Sequence, residues 1–343
     1  MIKLFETQCS EGEILAVGEV LRTGRLVMGR NVEGLETMLG EYFGRPAVTC
    51  GSGTDALVLA IEALTEPDDQ VIVPAMTFSA TCEAVLRAGR RPIVVDVAQN
   101  GMLSAECLCT MLGGRAKAVI LVHLYGIPAP DTVEIAEICA KADIALIEDC
   151  AQAFGALIGG QTVGTFGDAA AFSFYPTKPL GGIGDGGAVN FKSQEEAAYA
   201  AARRNHGRAG KNQVIAGFNS RLDEINAQVI IKRLMRYDET LSHLRSLFDA
   251  YQQLVHVTAD GVAPYVFPVC VNNREDLRMV LADRGVETGV HYDPPVSALP
   301  YVNKDCPTAR ALAGGILSLP CHRSMTTADV AEICDAVKDW VSC

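Results

Sequence analysis

From about residue 45 to residue 192 the chain alternates short, continuously apolar runs with stretches of helical periodicity. The runs Ala47–Cys50, Gln70–Val73, Arg91–Asp96, Ala116–Val122, Ala145–Asp149, Ala169–Phe174 and Gly187–Phe191 have strand length. Between the earlier ones lie Thr54–Leu64, Ala80–Ala88, Ala105–Leu112 and Pro130–Ala142, which read as helices. Apolar strands separated by helices predict a mostly parallel sheet of seven strands, buried on both faces and sandwiched by helices. Ligands of such α/β sheets bind beyond the carboxyl ends of the strands. After Phe191 the pattern turns helical: Ser193–Asn205 predicts one helix, and Arg221–His256 one or two long ones. The last segment, Tyr265–Cys343, has its own strand (Val266–Val271), a helix (Arg274–Arg284), a proline-rich turn (Asp293–Pro295) and a terminal helix (Thr327–Val341), a small α+β unit.

A chain of 343 residues is longer than one hydrophobic core usually supports, so two domains are expected. The formal net charge of -12 argues against nucleic acid as the main partner, because binding a phosphate backbone needs a basic face. The 12 cysteines form neither a disulfide framework nor a metal site: Cys107 and Cys109 are two apart and there is no C-x-x-C pair. The 6 histidines lack ligand spacing such as H-x-x-x-H, so no metal is expected. The opening MIKLFETQCSEGE has no apolar signal-peptide core, and no stretch reaches transmembrane length. A reduced cytoplasm, with no membrane partner, is the expected setting.

Four segments carry candidate chemistry. Gly51-Ser52-Gly53-Thr54-Asp55-Ala56-Leu57 follows a strand and opens a helix, where free N–H groups and the helix dipole favour a phosphate. A plain turn capped by Ser52 or Thr54 is the simpler account of it. Asp149 closes a buried strand; a carboxylate there suits a protonated ring nitrogen, or merely a helix cap. Lys178, in Ser173-Phe174-Tyr175-Pro176-Thr177-Lys178, stands just after an apolar strand. A partly desolvated amine there is neutral often enough to attack a carbonyl, while an exposed loop lysine is the ordinary alternative. Ser173 can add a hydroxyl to the same phosphate. Finally, Gly182 to Gly187 matches G-x-G-x-x-G, but a Lys-Pro loop precedes it and a strand follows. A dinucleotide fingerprint needs the reverse context, so the segment reads as a flexible loop where backbone passes close to a cofactor.

In their order along the chain these segments resemble the DegT/DnrJ/EryC1/StrS family, sugar aminotransferases of the aspartate-aminotransferase fold (PLP fold type I). The resemblance runs from about Gly29 to Leu319. It is carried by Gly51 to Leu57, Val73-Pro74-Ala75-Met76-Thr77-Phe78, Val122-His123-Leu124-Tyr125-Gly126 and Glu148-Asp149-Cys150-Ala151-Gln152-Ala153-Phe154-Gly155-Ala156. Phe172 to Lys178 and Gly184-Asp185-Gly186-Gly187-Ala188-Val189 follow, then Arg204-Asn205-His206-Gly207, Gly217-Phe218-Asn219-Ser220-Arg221 and Gly289-Val290-His291-Tyr292.

The resemblance implies a pyridoxal 5'-phosphate (PLP) enzyme, with a large cofactor-binding domain over 1–240 and a small domain over 241–343. Lys178 looks like the Schiff-base lysine and proton shuttle, and Asp149 like the partner of the ring nitrogen. Gln152 would contact the ring hydroxyl, Phe78 would stack on the ring, and Gly53, Thr54 and Ser173 would hold the phosphate. Asn219 would reach the cofactor phosphate of a neighbouring subunit, which makes the expected unit a homodimer with shared active sites. Tyr175, His206, Arg221 and His291 are the candidates for substrate contact, and Arg25, Arg30, Arg208 and Lys211 offer further local positive charge. The implied reaction moves an amino group from glutamate or glutamine to a keto-sugar, with a nucleotide diphosphate as the expected carrier. Departures are Phe154, where the family often has His or Tyr, Asp185, where it often has Glu, and a short stretch between His256 and Val266. A PLP-dependent dehydratase, a cyclitol aminotransferase and a non-catalytic paralogue stay open as alternatives. The dehydratases that replace the lysine with histidine fit poorly with Lys178.

Overall fold

A computed structural model describes residues 1–112, 114–252, 254 and 261–341. Two helices, α1 (Glu11–Thr23) and α2 (Arg30–Phe43), precede the sheet. Its strands are β1 (Ala47–Cys50), β2 (Gln70–Pro74), β3 (Arg91–Val95), β4 (Ala116–Val122), β5 (Ala145–Asp149), β6 (Ala169–Ser173) and β7 (Gly187–Phe191). They lie in the order β1-β7-β6-β5-β4-β2-β3. Only β7 runs against its neighbours β1 and β6; the other pairings are parallel. Helices α3 (Gly53–Leu64), α4 (Ser79–Arg87), α5 (Ala105–Cys109) and α6 (Thr132–Ala142) make the crossovers the parallel strands require. The sequence expectation of a mostly parallel seven-stranded α/β sheet therefore holds, and the fold is that of PLP fold type I.

Beyond the sheet come α7 (Gln194–Arg203), α8 (Glu224–Leu234) and α9 (Tyr237–Tyr251). The span expected as one or two helices from Arg221 is thus two, and its far end, His256, lies outside the described residues. The remainder holds β8 (Phe267–Cys270), α10 (Arg274–Asp283), α11 (Pro307–Gly315), β9 (Ile316–Leu319) and α12 (Thr327–Val341), with β8 and β9 antiparallel. Helix α9 serves two apolar clusters. Tyr237 and Leu241 pack with the aromatic group around Phe43, Phe154 and Phe172, whereas Leu244, Leu247, Phe248 and Tyr251 pack with Phe267, Leu277 and Ile333. Phe154 is edge-on to Phe43 and Tyr237, at 5.5 and 5.1 Å between centroids, so an apolar ring at this position is built into the core. Residues 255–260, in the stretch read as short, lie outside the described residues.

The strand just under the site is fixed by a buried ion. Glu148 of β5 is fully buried and accepts hydrogen bonds from the N–H groups of Gly164, Phe166 and Gly167 at 2.7, 2.8 and 2.8 Å. His123, at the end of β4, sits 3.1 Å away through Nε2. His123 Nδ1 accepts from the Ala129 N–H at 3.0 Å, so Nε2 is the protonated nitrogen and donates to Glu148. Burial alone would raise the Glu148 carboxyl, but the His123 and backbone donors outweigh it and hold it below its usual range. Because the folded-state pKa is depressed, this stability is full above the ordinary carboxylate pKa and is lost as pH falls through the folded value. Glu148→Ala strands three buried N–H groups and the His123 donor. It is expected to cost about 3–5 kcal/mol, read as a lowered denaturation midpoint at pH 7. An unchanged midpoint would show that the pair is not needed for the fold.

Candidate active site

The carboxyl ends of β4, β5 and β6 and the start of α3 surround one cavity of about 490 Å³. Of the residues singled out from the sequence, Gly53, Thr54, Phe78, Asp149, Gln152, Ser173, Tyr175, Lys178 and His291 all line it. His206, Arg221 and Asn219 do not. His206 and Asn219 are exposed, Asn219 Oδ1 accepts from Arg221 Nε at 3.0 Å, and Arg221 also reaches Asn205 at 3.3 Å. Arg25, Arg30, Arg208 and Lys211 also lie outside the lining.

One end of the cavity is made by the first turn of α3. Ser52 caps the helix by accepting the Asp55 N–H at 3.1 Å, and the first-turn N–H groups of an α-helix have no partner within it. Glycine is required at position 53 by close approach: a Cβ there would lie 2.7 Å from Ser173 Cβ. Gly187 is held likewise, since its Cβ would lie 2.4 Å from the Ser52 carbonyl oxygen. The two hydroxyls, Ser52 and Ser173, and the helix N-terminus thus converge on a place suited to a phosphate. The glycine loop beside it leads into β7 rather than a helix, which removes the dinucleotide reading.

Asp149, 6% exposed, lies at the centre. Thr81 Oγ1 donates to its Oδ2 at 3.0 Å and the Ala151 N–H to its Oδ1 at 3.2 Å. Thr81 has spent its one proton on Asp149, so the 2.9 Å contact with Thr77 is a bond donated by Thr77. Burial pushes the Asp149 carboxyl up, opposed by the Ala151 N–H, Thr81 and the charge of Lys178. A carboxylate can take about four donors. These two leave room for a cationic N–H from the cavity side.

Gln152 is oriented by its neighbours. Its Oε1 accepts the Tyr125 N–H at 2.6 Å, and its Nε2 donates to the Tyr292 hydroxyl at 2.6 Å. These two bonds fix which end of the amide is oxygen and which is nitrogen, and one amide proton remains to donate to a ligand. Tyr125 itself has φ 63°, a left-handed backbone rare for a side-chain-bearing residue. Its hydroxyl donates to the His291 carbonyl at 2.6 Å and its carbonyl accepts from the Tyr265 N–H at 3.0 Å, which holds it there.

Lys178 is half-buried, and its Nζ sits 4.4 Å from the centroid of the Tyr265 ring. Burial brings its pKa down to about 8, against the pull of Asp149. His291 is brought down to about 4, by burial first and then by Lys178, so it is neutral at physiological pH. Phe78 and Tyr175, 55% and 50% exposed, form the rim. Phe78 lies 5.5 Å from the Tyr292 ring, leaving a slot with one open aromatic face. Sequence reasoning did not single out Thr77, Thr81, Tyr265 or Tyr292 as site residues. The i, i+4 spacing of the two threonines at the start of α4 was an available signal; Tyr265 comes from a distant segment and had none.

A mostly parallel sheet with a lysine, a buried carboxylate and a helix-N-terminal anion cradle at its carboxyl edge defines a fold type I PLP enzyme. The chain belongs to the DegT/DnrJ/EryC1/StrS aminotransferase family, whose model matches residues 7–338. It is 34% identical to the UDP-N-acetyl-3-dehydro-alpha-D-glucosamine 3-aminotransferase of Acidithiobacillus ferrooxidans, over 95% of this chain and 93% of that protein. It is 35% identical to the dTDP-3-amino-3,4,6-trideoxy-alpha-D-glucose transaminase of Streptomyces venezuelae, over 95% and 91%. The crystal structure of NtdA from Bacillus subtilis with bound cofactor PMP superposes with a TM-score of 0.86 at 27% identity, covering 96% of this chain and 83% of that one. The protein is a PLP-dependent aminotransferase. Among the described residues no helix is long and apolar enough to cross a membrane.

Proposed function

We propose that this enzyme transfers an amino group from glutamate or glutamine to a keto-sugar carried on a nucleotide diphosphate. The observation that carries this reading is that Lys178, Asp149 and the α3 cradle face one cavity. The likeness to transaminases of UDP- and dTDP-linked sugars supports the substrate class. In this reading Gly53, Thr54 and Ser173 hold the cofactor phosphate, Phe78 covers one ring face and Gln152 donates to the ring oxygen. When bound, PLP supplies an electron sink for charge developing on the carbon that bears the nitrogen. Asp149 keeps the ring nitrogen protonated, itself held in place by Thr81 and the Ala151 N–H. Lys178, neutral often enough to form a covalent link, would hold the cofactor and, when not so engaged, would serve as the group that takes and returns a proton in the cavity. Neutral His291 adds no charge to the pocket. The division into a unit of 1–240 and one of 241–343 is part of the same proposal, supported by the two clusters that meet on α9.

Among the described residues Lys178 is the one lysine or arginine that lines the cavity, so charged parts of both substrates need cations from elsewhere. Arg208, Lys211 and Asn219 are exposed and available to a second subunit, which fits a homodimer with shared sites.

The test is a spectral titration. Glutamate is expected to remove the visible band of the lysine-bound cofactor, and one member of a panel of UDP- and dTDP-linked keto-sugars to restore it. No band with added PLP would overturn the cofactor assignment, and dehydration without amino transfer would move the enzyme to the alternative chemistry. The pH dependence has a definite sign. Capture of PLP by the cofactor-free protein should speed up several-fold between about pH 7 and 8 and level off above about pH 9, as Lys178 becomes neutral. A rate rising steadily through pH 10 would show an unperturbed amine.

A further inference from the structure

Lys178 does not merely end near Tyr265; it is seated on it. The Lys178 Nζ lies 4.4 Å from the ring centroid, within the range where an ammonium is attracted to an aromatic face. The ring is held on several sides. Phe5 stacks on it at 5.1 Å between centroids, His291 meets it edge-on at 6.0 Å, and its hydroxyl lies 3.3 Å from Thr177 Oγ1. Its backbone is pinned by the Tyr125 carbonyl. Tyr265 is 6% exposed, so the ring is fixed in place before any ligand binds. Lys178 shares the cavity lining with Asp149, His291 and Tyr292, and the charge of Asp149 acts on it. Behind, a small cavity of about 40 Å³ is lined by Glu6, Arg233 and Arg323.

We propose that Tyr265 is a positioning residue for Lys178: its ring face receives the ε-ammonium whenever the lysine is not covalently engaged and keeps it within reach of the reacting carbons. The inference rests on Lys178 being the cofactor lysine. A lysine that must let go of the cofactor and act again in the same turnover needs a resting place. Asp149 alone would draw it down onto the ring-nitrogen site; the aromatic face offers attraction without a competing hydrogen-bond acceptor. The ring also offsets part of the burial that otherwise favours the neutral amine, so the ammonium survives as the proton carrier.

The seat makes a prediction that a purely structural tyrosine does not. In the full chain loaded with pyridoxamine phosphate, where Lys178 is uncoupled, pH-dependent labelling with acetic anhydride and mass spectrometry reports the pKa of this amine. Tyr265→Phe keeps the ring and should leave that pKa within a few tenths of wild type. Tyr265→Leu, and pentafluorophenylalanine at position 265, should lower it by about one pH unit, because the favourable ring face is removed or inverted. The fluorinated ring keeps the shape, so the comparison stands even where the leucine variant fails to fold. In turnover the same variants should lose kcat more than KM. Equal pKa values for the phenylalanine and pentafluorophenylalanine proteins, or a pKa that rises in either, would overturn the seat. Borohydride linkage of PLP to the Lys178 peptide in wild type separates the two failures: its absence removes the cofactor assignment, its presence with an unmoved pKa removes only the seat.

Discussion

Replacing Lys178 with alanine is expected to lower the rate of amino transfer on the order of 10²- to 10⁴-fold, the contribution typical of a positioned acid–base group. The geometry explains why nothing else compensates. Among the described residues Lys178 is the only lysine or arginine lining the cavity, and His291, another base in that lining, is tied to Ser318 Oγ at 2.8 Å through Nδ1. The variant keeps the α3 cradle, Asp149 and Gln152, none of which hydrogen-bonds to the Lys178 side chain. It is therefore expected to fold and to bind PLP without covalent attachment, so that borohydride no longer links cofactor to chain. A small primary amine added to the solution should restore part of the rate, since the cavity then has room where the side chain stood. Turnover within tenfold of wild type, without added amine, would remove Lys178 from the mechanism.

The legible part of this protein is the part where chemistry and backbone coincide. The strands β4, β5 and β7 could be read to the residue because strands buried on both faces of a sheet are rich in apolar residues, as the buried run Ala118–Val122 is. Asp149 and Lys178 stood out because a charged residue ending such a strand needs a reason. Helices α1 and α2 were not anticipated, although Ser10 and Glu13 form a reciprocal capping box and Val32, Leu35 and Leu39 share one face. Their helical signal is diluted by exposed apolar side chains such as Ile14, Leu15 and Leu21, which blur the amphipathic pattern. Strand β9 was missed because four residues after a helix give no period to read. Helix ends shifted too: α5 stops at Cys109, three residues before Leu112, where the expected helix ended. The tertiary half of the site was out of reach. Tyr265 and Tyr292 enter from segments more than a hundred residues after Asp149, and only the fold brings them to it. His206, Arg221 and Asn219 sit in motifs of the family yet do not line the cavity of their own chain.

Asp149 carries the second large effect. It is buried, its carboxyl is pushed up by that burial, and among the described residues two donors, Thr81 and the Ala151 N–H, reach it. A protein that needed this carboxylate only for stability would surround it with donors, as it does for Glu148 one residue earlier, which has four. The contrast between two adjacent acids on one strand separates structure from function: one is satisfied by the protein, the other is left to a cation in the cavity. Asp149→Asn keeps the shape but removes the charge that holds a ring nitrogen protonated. Its kcat is expected to fall about 10²- to 10³-fold, the usual loss when one preorganised electrostatic partner is removed, with KM for the amino donor little changed. Cofactor capture by Lys178 should persist, so the visible band remains while glutamate discharges it slowly. Thr81→Val, which removes one of the two donors, should give a smaller loss of the same kind, in kcat and not in KM. Stopped-flow measurement of the glutamate half-reaction checks both. If the asparagine variant discharges the band at more than about a tenth of the wild-type rate, Asp149 is not the partner of the ring nitrogen and the electron sink must be maintained by another group.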